Sequence, residues 1–539
     1  MSVDCDVLVA GAGLSGLQAA REITEKASNL KVVVLEAKDR VGGRLLTCSI
    51  RTLTGTDQWD LGGQWIGKTQ GHVIELIDSL GLKLYRQHTD GRKLGQFGGT
   101  KIRPYDSALP TNNGLEYSPI EAFDFARTMY RLESMCKQIK GQDPFTHPKA
   151  VEWDGQSVEE WARRNCCTRT MQDCLELATR VSLGQKASCV SLLYLLLTGN
   201  ASGSIVDMLE TTETTGAQGY KIKGGTQQMC RMMADDLGGE TVRFNQAVYA
   251  VEQHTDTVLV HALKGNGDAK TPVSYRCRRL ILALPPNQTA MIRFSPLLPE
   301  HKRQLFSHSP QGNLIKFIVT YPCAFWRDQG LSGEMVATGL TDKSTERGPV
   351  ACTFDACTPN GNAALVGFFN IEWADRSKDV RRDAALKQLA RFFGKQALGY
   401  VDYEDKCWSE EPYNGGCPAT CVAPGNTEYF LLIREPVNMV HFCGTESAAE
   451  WPGYMSGAVE SGLRAAHEVL LHLATDKVDH SLLEWSAYAP NYRAPTKPDY
   501  SYSRPCLLYR LTKLGVFVGA VLGICYVARK KVTLPSKFW

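Results

Sequence analysis

Close to its N-terminus the chain alternates short apolar runs with helix-patterned sequence. Val7 to Ala10 are consecutively apolar, as in a short strand buried on both faces, and "LSGLQAARE" follows as an Ala-rich helix. A second apolar run, "KVVVLE", closes on the carboxylate of Glu36. Strand, helix and strand in this order predict a βαβ unit. In "GNLIKFIVTYP" a third apolar strand is interrupted once, by Lys316. Were its side chains to alternate between two faces, that lysine could equally point outward.

The C-terminus has a different pattern. From Leu514 to Ala528 no charge interrupts the sequence, with Arg510 and Lys513 before it and Arg529, Lys530 and Lys531 after it. A helix of about 15 residues is only ~22 Å long, against a hydrocarbon core of ~30 Å. Extending it back to Leu507, with Arg510 and Lys513 snorkelling, makes a span of 507–531. A helix apolar on every face, last in the chain and behind the linker 471–506, has no obvious core to enter, so a membrane anchor is the expectation. Gly515, Gly519 and Gly523 form a small-residue stripe on which two such helices could pack.

Length and composition narrow the classes. At 539 residues the chain exceeds what a single core usually supports, so two domains are expected. A net charge of +3, with basic residues scattered except at the C-terminus, argues against a nucleic-acid partner. The 18 cysteines follow no repeating frame, and no signal-peptide pattern precedes the first strand, so the body reads as cytosol-facing with reduced thiols. Cys417 and Cys421, in "EEPYNGGCPATCVAPG", lack a second ligand pair at zinc spacing, and no metal is expected.

Between the first strand and helix, Gly11, Gly13 and Gly16 stand in G-x-G-x-x-G spacing. Gly11 permits the tight turn, Gly13 lets a pyrophosphate approach the backbone, Ser15 lies within the same turn, and Gly16 lets helix and strand pack closely. Glu36 follows Gly11 by 25 residues, placed to accept ribose hydroxyls and to repel a 2′-phosphate. A dinucleotide is therefore expected.

The continuation, "EAKDRVGGRLLT" with Arg44 and then "DLGGQWIG" with Gly62 and Gly63, resembles the flavin-containing amine oxidase family, and that resemblance selects FAD over NAD. "VHFCGTESAAEWPGYMSGAVESGLRAAHEVL" looks like the same family's final flavin motif. The resemblance puts Glu446 on the ribityl and phosphate side, Gly453 to Met455 beside the isoalloxazine, and a helix starting near Gly457 with its positive end toward the ring. "WSEEPYNGGCPATC" resembles the monoamine oxidase segment whose cysteine is thioether-linked to the flavin 8α position; Cys417 is then that cysteine, with Trp408 beside the ring. Lys316 matches the lysine that binds a water near flavin N5; Gln218 falls near the substrate, and Val248 near the adenine.

The implied fold is an α/β FAD-binding Rossmann-like domain built from 1–85, 215–300 and 395–470. It is interleaved with a substrate domain of mixed sheet and helices, 86–214 and 301–394. The implied reaction is oxidative deamination of primary, and by extension secondary or tertiary, amines to aldehydes, with O2 reduced to H2O2. Lys316, Tyr454 and Gln218 are its catalytic candidates. The resemblance also implies a homodimer in the mitochondrial outer membrane. The sequence departs from the family at Pro418, where monoamine oxidases carry the first of two tyrosines caging the amine nitrogen; the second is Tyr454. Cys352 replaces a larger residue at an expected pocket position. A polyamine oxidase, an L-amino-acid oxidase and a non-catalytic flavin-binding membrane protein are the alternatives.

Overall fold

A computed structural model describes residues 3–97, 101–105, 118–141, 143–267, 270–338, 348–484 and 486–488. All of them belong to one compact unit, Met1–Lys497. The expected anchor at 507–531 lies outside the described residues, among which no helix is long and apolar enough to cross a membrane.

Two sheets organise the unit. The first has eight strands and contains the βαβ start of the chain: Cys5–Ala10 pairs in parallel with both Val32–Leu35 and Thr271–Leu282. It begins two residues before the expected Val7 because Cys5 already pairs with Cys277. Val258–Lys264 and Gln246–Gln253 extend this sheet on the antiparallel side, and Val440–Phe442 pairs with Thr271–Leu282. The strand residues Val7, Val9, Val32 and Val34 are buried under the helices Leu14–Lys26 and Met455–Leu473, while Leu8, Val33 and Leu35 face a separate apolar cluster on the other side. Coverage on both faces is what makes these strands read as unbroken apolar runs.

The second sheet has seven strands, in the order Asp402–Cys407, Ile315–Tyr321, Ala363–Phe369, Val350–Asp355, Leu331–Ala337, Arg92–Gln96 and Arg103–Tyr105. All pairings but that of Leu331–Ala337 with Arg92–Gln96 are antiparallel. Since Asp402–Cys407 forms one edge, the stretch 395–470 serves both sheets. Every residue of Ile315–Tyr321 is buried, so Lys316 has no solvent face to point to. The helices between Pro119 and Leu209 build a third apolar cluster, into which Cys421 and Val422 pack.

Candidate functional site

A cavity of about 590 Å³ runs from the glycine turn to the second sheet. Its wall includes Gly11, Gly13, Ser15, Glu36, Arg44, Gly62, Gly63, Gln218, Val248, Lys316, Trp408, Cys417, Tyr454 and Met455. Of the residues expected to bind the cofactor or substrate, Gly16 and Glu446 do not border it; Gly16 packs on Gly11 and Glu446 pairs with Arg44, both of which do.

The glycine turn follows from sterics. Gly11 adopts φ +106°, a conformation that side chains strongly disfavour. A Cβ on Gly16 would lie 2.0 Å from the Gly11 carbonyl oxygen, so this position holds the helix against the turn. A Cβ on Gly13 would meet nothing within 4 Å: the space in front of it is open cavity. Glu36 accepts hydrogen bonds from the backbone N–H of Ala12 (2.8 Å) and of Lys38 (3.0 Å), one on each oxygen. Burial raises its pKa, and those two hydrogen bonds oppose the rise. Each carboxylate oxygen keeps acceptor capacity for a further donor such as a ribose hydroxyl.

Arg44 and Glu446 form a bidentate pair at 2.6 and 3.0 Å. Desolvation would raise the Glu446 pKa, but the Arg44 charge and its hydrogen bonds outweigh it and hold the carboxyl below its usual range. Arg44 also donates to the Pro418 carbonyl (2.8 Å), and Glu446 accepts from the Thr420 N–H (3.2 Å). The first cofactor motif, the cysteine segment and the final motif are thereby tied together at one ion pair. Trp408 is fixed by donation from its indole N–H to the Leu61 carbonyl (2.9 Å).

At the sheet end, Lys316 donates to the Gly62 carbonyl (2.8 Å) and to Gln64 Oε1 (2.7 Å). Burial pulls its pKa down to about 7, partly opposed by the charge of Asp60. Its ammonium lies 5.4 Å from the Trp65 ring centre and 5.9 Å from that of Phe368. Tyr454 is the cap residue of Met455–Leu473, which starts two residues before the expected Gly457. The Tyr454 hydroxyl donates to the Met208 carbonyl (3.1 Å), and Gln218 Nε2 donates to the same oxygen (2.8 Å). Gln218 Oε1 and Gln64 Nε2 are buried at the cavity wall with no partner. Polar atoms left this way call for a ligand or water to satisfy them.

Cys417 faces the cavity. Burial pushes its thiol pKa up to about 11, although Arg44 and Lys316 act in the opposite direction. Cys421, by contrast, is fully buried and donates to the Leu183 carbonyl (3.1 Å), so the two sulfurs belong to different surroundings. Pro418 borders the cavity at the position of the missing tyrosine. Tyr413 does not replace it, because its hydroxyl accepts from Lys270, beside the strand Thr271–Leu282.

Cys352 does not border this main cavity; it is buried against a second cavity of about 190 Å³, together with Cys174 and Phe125. Phe354, two residues on along the same strand, is the residue of that segment that borders both spaces. Gln64, Trp65, Phe354 and Phe368 are site residues that sequence reasoning passed over. Gln64 directly follows the recognised glycine pair, while the two phenylalanines carry no local signal beyond an apolar strand.

The open turn at Gly13, the free acceptor capacity of Glu36, the Arg44 guanidinium and the unpartnered amides fit FAD. Residues 14–470 match the family described as flavin containing amine oxidoreductase. The human flavin-containing amine oxidase B is 34% identical over 505 residues, 92% of each chain. The bovine flavin-containing amine oxidase A is 34% identical over 472 residues, covering 86% of this chain and 85% of that one. Among solved structures, cyclohexylamine oxidase from Brevibacterium oxydans superposes with a TM-score of 0.77 at 29% identity, over 87% of this chain and 99% of its own. Wild-type putrescine oxidase bound to putrescine gives 0.76 at 28% over the same shares. The chain belongs to the flavin-containing amine oxidoreductase family, and it is an FAD-dependent amine oxidase.

Proposed function

We propose that this amine oxidase acts on primary amines with an apolar tail, that Cys417 carries its FAD as a thioether, and that residues 507–531 tether it to a membrane. The family reaction is oxidative deamination: the amine becomes an imine, water hydrolyses this to an aldehyde, and O2 is reduced to H2O2. Bound FAD supplies the acceptor for the hydride equivalent leaving the α-carbon.

One observation carries the substrate reading. Among the described residues that line the main cavity, Glu36 is the only carboxylate, and it belongs to the dinucleotide end. The single arginine, Arg44, is fully engaged by Glu446. An amino-acid substrate would need a free arginine for its carboxylate, and a polyamine would need free carboxylates for its distal ammonium groups. The second cavity does contain Glu121 and Glu334, but Glu334 is paired with Lys93 (3.0 Å) and Tyr105 (2.8 Å). Glu121 accepts from Thr170 (2.6 Å).

The chain's own residues then divide the work. The desolvated wall of Trp65, Phe354, Phe368 and Tyr454 favours the neutral amine. Tyr454 and Gln218, both pinned by the Met208 carbonyl, orient the nitrogen, with Gln218 Oε1 available to accept from it. Lys316 holds a water near the reacting centre, its direction set by Gly62 and Gln64. Gly11, Gly13, Ser15, Glu36, Arg44, Gly62, Gly63, Val248, Trp408 and Met455 hold the cofactor, and Glu446 holds Arg44. The FAD part comprises 1–85, 215–300 and 395–470, which lends its edge strand Asp402–Cys407 to the second sheet, and the substrate part comprises 86–214 and 301–394. The uncharged run Leu514–Ala528 with its basic flanks and glycine stripe supports a homodimer at the mitochondrial outer membrane.

Acid precipitation followed by anaerobic titration tests the reading. Yellow colour is expected in the pellet and lost in Cys417→Ala, with bleaching by benzylamine or tyramine and not by putrescine. Flavin released to the supernatant of the unmodified protein would overturn the thioether. Bleaching by putrescine alone would overturn the apolar-tail preference.

A further inference from the structure

The segment Glu411–Cys417 is a strap that crosses the cavity at its dinucleotide end. Glu411 receives Lys38 and Arg40, both at 2.6 Å, and Lys406 pairs with it as well. Lys38 also donates to Asn414 Oδ1, and Asn287 donates to the Asn414 carbonyl (2.9 Å). These anchors hold the strap against the residues just beyond Glu36.

Between the anchors stands Tyr413, at φ +59°. A bulky side chain in the left-handed region is strained, and persists only where its surroundings fix it. Its hydroxyl accepts from Lys270 Nζ at 3.3 Å, and that ammonium lies 6.0 Å from the ring centre. The residue is 38% exposed, yet it borders the main cavity. Strand register locates it. The Gln246 N–H donates to the Glu36 carbonyl (2.8 Å), Gln246 faces Lys264, and Lys264 faces Thr271, the neighbour of Lys270. Tyr413 therefore stands at the Glu36 and Val248 end, where the cavity opens past the exposed Met291.

We propose that Tyr413 is the outer wall of the adenine site: its ring, set by the strap and by Lys270, packs on the adenine of FAD and slows escape of the cofactor before the thioether to Cys417 forms. The inference rests on the reading that this cavity takes FAD with its adenosine near Glu36. Stacking of a base on an aromatic ring tolerates a range of geometries and is strong enough to govern residence time.

The test uses the full chain carrying Cys417→Ala, in which flavin is held without a covalent bond, and follows flavin fluorescence after dilution. Adding Tyr413→Ala is expected to speed FAD release about tenfold, and Tyr413→Phe to keep it slow. FMN, which lacks the adenosine, should leave at the same rate with or without Tyr413→Ala. Lys270→Met leaves the ring in place but loosens it, with a smaller acceleration expected for FAD alone. Equal FAD rates in all chains would overturn the proposal, and so would an FMN rate raised as much as the FAD rate, since Tyr413 would then only brace the strap. If the Cys417→Ala chain takes up no flavin at all, the cofactor reading falls first and this inference with it.

Discussion

The two ends of the main cavity are built on different principles. The dinucleotide end is assembled from backbone and ion pairs: a glycine turn, Glu36 held by two N–H groups, and Arg44 locked on Glu446. The amine end is assembled from rings and amides on strands and loops far apart in sequence, with Lys316 reaching Gly62 across 254 positions. The first arrangement tolerates almost no change, because each group fixes the next. The second tolerates variation in its walls, and Pro418 is such a variation.

The largest expected effect of breaking that contrast is at Arg44. In Arg44→Met the Glu446 carboxylate remains buried without its partner, and an uncompensated buried charge costs about 3–5 kcal/mol. Urea unfolding of the flavin-bound protein should show this loss. Arg44→Met with Glu446→Gln should recover part of it, since the amide needs no counter-charge. A single variant as stable as the parent would mean that the pair does not hold the three cofactor segments together.

The same contrast governs what could be read from sequence. The strand Cys5–Ala10, the glycine turn and Glu36 are neighbours along the chain, and their physics is local enough to be spelled out in one stretch. Cys417, Tyr454, Lys316 and Gln218 are located by resemblance, and all four border one cavity. Their hydrogen-bond partners were not legible. Nothing in "IKFIV" says that Lys316 turns inward, because a strand buried on both faces erases the alternation that would have told. Gln64 and Phe354 escaped because their role exists only once two sheets meet. Cys352 and Phe354 lie on one strand, and only the packing of helices against that strand determines that the first borders the second cavity alone and the second borders both.

Lys316→Met is the next test, now at the amine end. With a pKa of about 7 when folded, against about 10.4 when unfolded, the unfolded chain binds more protons between those values, so stability due to this group rises with pH across that window. The slope is at most about 1.4 kcal/mol per pH unit for one group. It should be present in the parent protein and absent from the methionine variant. Activity should change as well. Neutral Lys316 can accept a proton from a water while still donating to Gly62 and Gln64, so a limb rising through pH 7 is expected in the parent kcat. The variant should lose that limb together with about 100-fold of kcat. A variant that retains the limb would show that some other group titrates there.

The smallest expected effect, and the one that most sharpens the comparison, is at Pro418. Substitution by tyrosine restores an aromatic face at the position from which the resemblance expects one, across from Tyr454. The backbone carbonyl that accepts from Arg44 is kept, so the dinucleotide end should not register the change. A second ring beside the amine is worth about 1 kcal/mol, or about fivefold in KM for benzylamine. The kcat should stay within about twofold, because orientation by Tyr454 and Gln218 is already in place. If instead Pro418→Tyr weakened benzylamine binding and released flavin, the carbonyl contact with Arg44 would have been disturbed. The two ends of the cavity would then be coupled through residue 418 rather than independent.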